Sequence, residues 1–149
     1  MDGPLIYGIM GVVLVGVGLL AIGALFVVKG LSTKSMIRAA LLEEKASTGP
    51  PGEDGIEIQV VDAKTAKLRA DQVKAHTLGR LGPFQALVRA DDQENAAFFL
   101  KGLTIRTALN LAIVSFGVAD IAVGAGVGFM LAGAGTLALG LPLLFWLAL

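Results

Sequence analysis

Residues 107–149, TALNLAIVSFGVADIAVGAGVGFMLAGAGTLALGLPLLFWLAL, decide the fold, because Asp120 is the only charged residue among them. A second uncharged stretch covers residues 4–28, and all twelve Lys and Arg lie between residues 29 and 106. The hydrocarbon core of a bilayer is about 30 Å thick and takes about 20 helical residues to cross. Both stretches are long enough, and a composition that is 55% hydrophobic and 16% charged also indicates an integral membrane protein.

The longer stretch predicts two membrane helices. At about 1.5 Å per residue its 43 residues would reach about 65 Å, twice the hydrocarbon core. The glycines of Gly124–Gly128 can adopt the positive φ of a tight reversal at little steric cost, so we expect the turn there. The predicted fold class is an all-α integral membrane protein with three transmembrane helices. An N-terminal anchor, residues 1–28, precedes a loop, residues 29–102, and a C-terminal helical hairpin, residues 103–149.

The distribution of charge predicts the orientation. The basic residues lie in or beside the 29–102 loop, so the positive-inside rule places this loop in the cytoplasm. Three spans then put the N-terminus outside and the C-terminus inside, in the plasma (inner) membrane. Tyr7 and Trp146 would anchor opposite interfaces, and Arg106 would reach the inner one. Met1–Pro4 lacks the basic start of a signal peptide, so the first helix is expected to be retained.

The loop predicts short amphipathic helices. An apolar stripe within Leu31–Lys45 has helical spacing, and Asp62 is placed to cap a helix from Ala63 to about His76. Asp91 with Glu94 three residues later fits a capping box, so the next helix is expected to begin near Asp92. The basic side chains of the first capped helix either contact anionic lipid or form a solvated face: Lys67, Arg69, Lys74 and Arg80.

One extended strand is also expected in the loop. Ile56, Ile58 and Val60 alternate with polar residues, as in a half-buried strand. The preceding segment Gly49–Gly55 contains two prolines and three glycines and breaks regular structure. A single strand is not stable alone, so it must pair with another segment or lie across the helices.

Glycine is concentrated along the predicted membrane helices. Small residues let helix backbones approach closely in a membrane, and polar side chains form hydrogen bonds across such contacts. Arg106, Asn110 and Asp120 share a face with two glycines, within about 80° at about 100° per residue. Three short helices would carry more packing surface than they can satisfy, which predicts an oligomer or a larger complex. The expected packing residues are Gly11, Gly16, Gly18, Gly23, Gly117, Gly124, Gly133 and Gly140.

These features favour a small structural or accessory membrane subunit that packs through its glycine faces. Its expected partners are the lipid bilayer and other membrane subunits or copies of itself, and no feature indicates nucleic-acid binding. No cofactor or metal site is predicted, because the chain lacks cysteine and His76 is its only histidine. An enzyme is not expected, since converging titratable groups are lacking.

Asp120 leaves an alternative open. An ionisable group inside a span costs several kcal/mol and often marks an ion path, so an oligomer could gather Asp120 and Asn110 around one. The other interpretation is an interfacial or helix-packing carboxylate. In its Gly/Ala-rich hairpin with a membrane carboxylate, residues 103–149 resemble the proton-carrying c-subunit of rotary ATP synthases. That family carries its carboxylate on the second hairpin helix, whereas Asp120 lies on the first, so the chain is not assigned to it.

Overall fold

The computed structural model describes residues 3–44, 46, 59–89 and 92–147. Nearly all of these residues lie in four helices: α1, Gly3–Glu43; α2, Ala63–Leu81; α3, Phe84–Arg89; and α4, Gln93–Leu147. The described part of the chain contains no strand, so the all-α prediction is confirmed. Ile56 and Ile58 of the predicted strand lie outside the described residues.

Two of the helices are long and strongly apolar. α1 has 41 residues and α4 has 55. Their most apolar 18-residue windows have mean hydropathies of 2.8 and 1.9, and only 11% and 17% of these windows is buried. A core helix of a soluble protein would be mostly buried. Both helices are therefore long and apolar enough to cross a membrane.

The structure replaces the predicted turn with continuous helix. α4 runs through Gly124–Gly128 without interruption, so two long apolar helices stand where three membrane helices were predicted. The turn was inferred because the uncharged stretch is too long for a single membrane span. Part of that stretch, however, packs against protein. Leu109, Ala112 and Phe116, near the start of the stretch, are buried by protein. One face of this part of α4 is therefore covered by protein rather than by lipid.

The chain forms two compact units, of which the first contains residues 1–33 and 118–149. We call this unit the hairpin, because α1 and α4 pack against each other in opposite directions within it. From here on the name refers to this pair of helices and not to the predicted hairpin of residues 103–149. A Cβ built on Gly8 would lie 3.5 Å from Leu144 Cδ2, and one built on Gly30 would lie 2.9 Å from the carbonyl oxygen of Ala119. Phe26 and Phe129 meet edge to face between these points, with ring centroids 5.9 Å apart.

The antiparallel pairing changes the expected position of the chain ends. Because Gly8 lies beside Leu144, the exposed side chains of Tyr7 and Trp146 lie at the same end of the hairpin. Three spans had placed them at opposite interfaces. The two long helices instead bring both ends of the described chain to the same end of the hairpin.

The second unit contains residues 34–117, and we call it the loop unit. Its buried core joins Val60, Ala66 and Ala70 to Leu109 of α4, with Leu41 packed against them. The Val60 amide donates a hydrogen bond of 2.8 Å to the carbonyl oxygen of Ala46, and Arg38 Nε donates one of 3.1 Å to the Val61 carbonyl oxygen. These bonds hold the segment before α2 against the end of α1.

Polar caps define the starts of α2 and α4. The Asp62 carboxylate accepts a hydrogen bond of 2.7 Å from the Thr65 amide, and the Asp62 amide donates back to Thr65 Oγ1 at 3.2 Å, which confirms the predicted cap. α4 begins at Gln93, and Asp92 accepts bonds from both the amide and the side chain of Asn95. The Asp91 of the predicted capping box lies outside the described residues.

Candidate functional site

Glycines at a spacing of seven residues bring the two hairpin helices together. Gly16, Gly23 and Gly30 of α1 face Gly133, Gly126 and Ala119 of α4 in turn. A Cβ built on Gly23 would lie 2.5 Å from the Gly126 carbonyl oxygen, and one on Gly133 would lie 2.6 Å from that of Gly16. Such distances leave no space for side chains, so the backbones themselves form the contact. A seven-residue repeat is typical of helices that supercoil left-handedly.

Larger side chains fill the space beside each close approach. Met130 of α4 covers Gly23, and Val27 of α1 covers Gly126, with 2.6 and 2.8 Å between side-chain carbons and the positions of the missing Cβ atoms. The same arrangement repeats along the hairpin, where Leu137 covers Gly16, Val123 covers Gly30, Leu20 covers Gly133 and Val12 covers Gly140. Each helix therefore alternates a glycine with a large apolar residue, and the two patterns interlock.

The structure divides the predicted packing glycines into two groups. Gly16, Gly23, Gly133 and Gly140 lie in the contact between α1 and α4. At the other four, a Cβ would have no described atom of a neighbouring segment within 4 Å: Gly11, Gly18, Gly117 and Gly124. Gly8, Gly30 and Gly126 also lie in the contact, and of these Gly30 and Gly126 were not predicted to be packing residues. The seven-residue spacing of Gly16, Gly23 and Gly30 and of Gly126, Gly133 and Gly140 is the sequence signal that could have found two of them.

The hairpin carries a second set of glycines that nothing in the described structure covers. Gly124, Gly128 and Gly135 fall within about 40° of one another around α4, on the side opposite Gly126 and Gly133. We call these three residues the open glycine face. Added Cβ atoms there would meet open space. The contact with α1 therefore does not explain why these positions are glycine.

Asp120 and Asn110 lie in different parts of the molecule. Asp120 is exposed in the hairpin and follows Ala119, whose carbonyl oxygen approaches Gly30. It therefore lies level with Lys29, at the end of the hairpin opposite Tyr7. Asn110 is exposed in the loop unit, ten residues earlier in the sequence. Arg106, the predicted interface anchor, is half-buried in the loop unit.

Across the described ranges, no group of three or more His, Cys, Asp or Glu side chains could hold a metal ion. The pKa values of two capping carboxylates are nevertheless perturbed. The Thr65 amide and hydroxyl lower the pKa of Asp62, and the Asn95 side chain and amide lower that of Asp92. Both groups stabilise helix ends.

Comparison of this chain with protein-family models, curated proteins and solved structures finds no match.

Proposed function

We propose that this chain is a small structural or accessory membrane subunit. Its hairpin crosses the bilayer, and its open glycine face packs against a membrane helix from another subunit or from a copy of itself. The open glycine face is the observation that carries the proposal, because no contact among the described residues uses it. The paired part of α1, from Gly8 to Gly30, rises about 33 Å, which fits a hydrocarbon core of about 30 Å.

The cost of glycine in a helix supports a partner for this face. Glycine is about 1 kcal/mol less favourable than alanine at an interior helix position. Gly124 and Gly128 are four residues apart, the spacing at which two membrane helices approach closely, and Gly135 extends the same side of α4. A neighbouring helix seated there would make backbone contacts of the kind that Gly126 makes with Gly23.

The charge distribution supports one orientation of this hairpin. The segment that joins its two helices, residues 34–117, holds every Lys and Arg except Lys29. By the positive-inside rule the loop unit is cytoplasmic and both chain ends are outside the plasma (inner) membrane. Tyr7 and Trp146 then anchor the outer interface together, and Lys29 and Asp120 lie near the inner one.

The test is substitution of Gly128 by Leu, which fills the open glycine face without touching the contact with α1. The protein is extracted from its own membrane in a mild detergent, and native mass spectrometry reads its stoichiometry and its co-purifying chains. We expect the assembly of the unmodified protein to be lost in Gly128→Leu. The matched control is Ala125→Leu, which adds bulk to an exposed position of α4 about 60–100° away from the open glycine face. Unchanged assembly of Gly128→Leu would contradict the proposal.

The alternative function is an ion or proton path that uses Asp120 and Asn110. It is favoured by one observation, the exposure of the Asp120 carboxylate in an otherwise uncharged stretch of α4. Asp120→Asn keeps the shape of the side chain and removes its titratable proton. An ion path predicts normal assembly with loss of proton flux into vesicles that contain the protein. An accessory subunit predicts that Asp120→Asn changes neither flux nor assembly.

A further inference from the structure

The loop unit contains a cavity of about 510 Å³ between α2 and the first turns of α4. The two helices come close at one edge of it, where a Cβ built on Gly102 would lie 2.6 Å from Thr77 Oγ1. Thr77 is buried, and its hydroxyl donates a hydrogen bond of 2.7 Å to the Val73 carbonyl. Small-molecule sites typically have volumes of about 300–1,000 Å³, so this cavity is large enough to hold a ligand.

The lining of the cavity combines an apolar surface with positive charge. Phe98 and Ile105 of α4 provide apolar surface, and Arg69 of α2 and Lys101 of α4 provide two basic side chains. Among the described residues, no Asp or Glu lines the cavity. Glu94 lines a neighbouring cavity of about 380 Å³, together with Arg80, whose guanidinium lies 5.9 Å from the centre of the Phe98 ring. The larger cavity therefore carries a net positive charge.

One lining residue, Gln72, also has a side-chain atom without a hydrogen-bond partner. Gln72 contributes to the lining, and its side-chain oxygen is buried and accepts no hydrogen bond from the described residues. A buried polar atom without a partner is destabilising, so native proteins rarely leave one unsatisfied.

We propose that this cavity binds an amphiphile that carries an anionic head group, phosphate or carboxylate, on a hydrocarbon chain. The head group pairs with Arg69 and Lys101, since guanidinium and ammonium groups form strong charge-assisted hydrogen bonds with both oxyanions. The hydrocarbon chain covers Phe98 and Ile105. The inference does not depend on the hairpin or on its assembly, because every lining residue belongs to the loop unit.

The experiment uses photo-crosslinking by dodecyl phosphate that carries a diazirine on its chain, with the full-length protein in a neutral maltoside detergent. Peptide mass spectrometry then locates the crosslinks. We expect labelling of residues 69–77 and 98–105 that unlabelled dodecyl phosphate competes away. Arg69→Gln and Lys101→Gln should each weaken binding roughly tenfold or more, the usual effect of losing a hydrogen bond to a charged group. Lys67→Gln, an equal loss of charge at an exposed position of α2 outside the cavity, should bind normally.

Competitors identify the head group and test the need for a chain. Dodecanoate competing better than dodecyl phosphate would assign a carboxylate, and the reverse order would assign a phosphate. Either order supports the proposal. Three results would overturn it: equal competition by dodecyltrimethylammonium, equal competition by inorganic phosphate alone, or an equal loss of binding in Lys67→Gln. Circular dichroism of each variant verifies that α2 and α4 remain folded. These outcomes do not depend on whether the Gly128→Leu variant assembles.

Discussion

Gly23 and Gly126 lie backbone against backbone in the hairpin. A Cβ on Gly23 would be 2.5 Å from the Gly126 carbonyl oxygen, and a Cβ on Gly126 would be 2.6 Å from that of Gly23. The relationship is reciprocal, so neither position accepts a side chain unless the helices separate. It also fixes the register, because sliding one helix along the other would place Val27 or Met130 where a glycine is needed.

Gly126→Leu should therefore destabilise the hairpin, whereas Gly128→Leu should not. Both substitutions put leucine in place of a helical glycine, which by itself favours the helix by about 1 kcal/mol. Only Gly126 faces α1, where overpacking typically costs about 1–3 kcal/mol or more. Unfolding in mixed detergent, followed by the fluorescence of Trp146, the only tryptophan, measures the difference. Equal stability of the two variants would mean that the helices do not approach as described.

In the loop unit, the effect of a Gly102 substitution on stability should depend on the side chain of Thr77. Gly102→Ala places a methyl group 2.6 Å from Thr77 Oγ1 and should destabilise the unit by about 1–3 kcal/mol. Thr77→Ala removes that hydroxyl, so adding it to Gly102→Ala should recover much of the loss. A double-mutant cycle on the free energy of unfolding would give a coupling of about 0.5–3 kcal/mol between the two positions. Additive effects would show that they do not touch.

Asp62 should make the stability of α2 depend on pH. Its pKa is lowered below the ordinary value of 3.8, mainly by the hydrogen bond from the Thr65 amide. The folded protein therefore holds this proton less tightly than the unfolded chain does. The resulting stabilisation is complete above the ordinary pKa and is lost as the pH falls through the lowered one.

The measurement compares the unfolding of two proteins, with Asp or with Asn at position 62, between about pH 6 and pH 2. Asparagine caps a helix about as well as aspartate but does not titrate, so the acid-dependent loss should shrink in that variant. Asp92 also has a lowered pKa, and both proteins should therefore carry Asp92→Asn. At neutral pH, Asp62→Ala should cost about 1 kcal/mol, the typical value of an N-cap. Identical acid profiles for the two proteins would remove Asp62 as the cause.

Local patterns predicted the starts of α2 and α4 well. The Asp62 cap and the beginning of α2 at Ala63 follow from side-chain chemistry within a few residues, and the start of α4 was placed one residue from Gln93. The end of α2 was placed too early, since the helix runs on to Leu81, where Gly82 takes a φ of +71° and ends it.

The turn at Gly124–Gly128 could not be judged locally. Glycine serves both a tight reversal and a close helix contact, and only the position of Gly23 on the other helix distinguishes these uses. The length of the uncharged stretch was equally ambiguous, because it does not reveal whether Leu109 and Phe116 are covered by lipid or by protein. The open glycine face can be recognised only when the contact partners of the other glycines are known.

The two-helix hairpin predicts that both chain ends lie on the same side of the membrane. The chain has no cysteine, so a single cysteine can be introduced at Tyr7 or at Trp146 without background labelling. Both positions are exposed at one end of the hairpin, and a membrane-impermeant maleimide should label them from the same side of sealed vesicles. A cysteine at Lys67, in the basic segment between the hairpin helices, should be labelled only from the other side. Three membrane helices would instead put positions 7 and 146 on opposite sides, with position 146 sharing the side of position 67. Labelling therefore separates the two topologies without any knowledge of the partner.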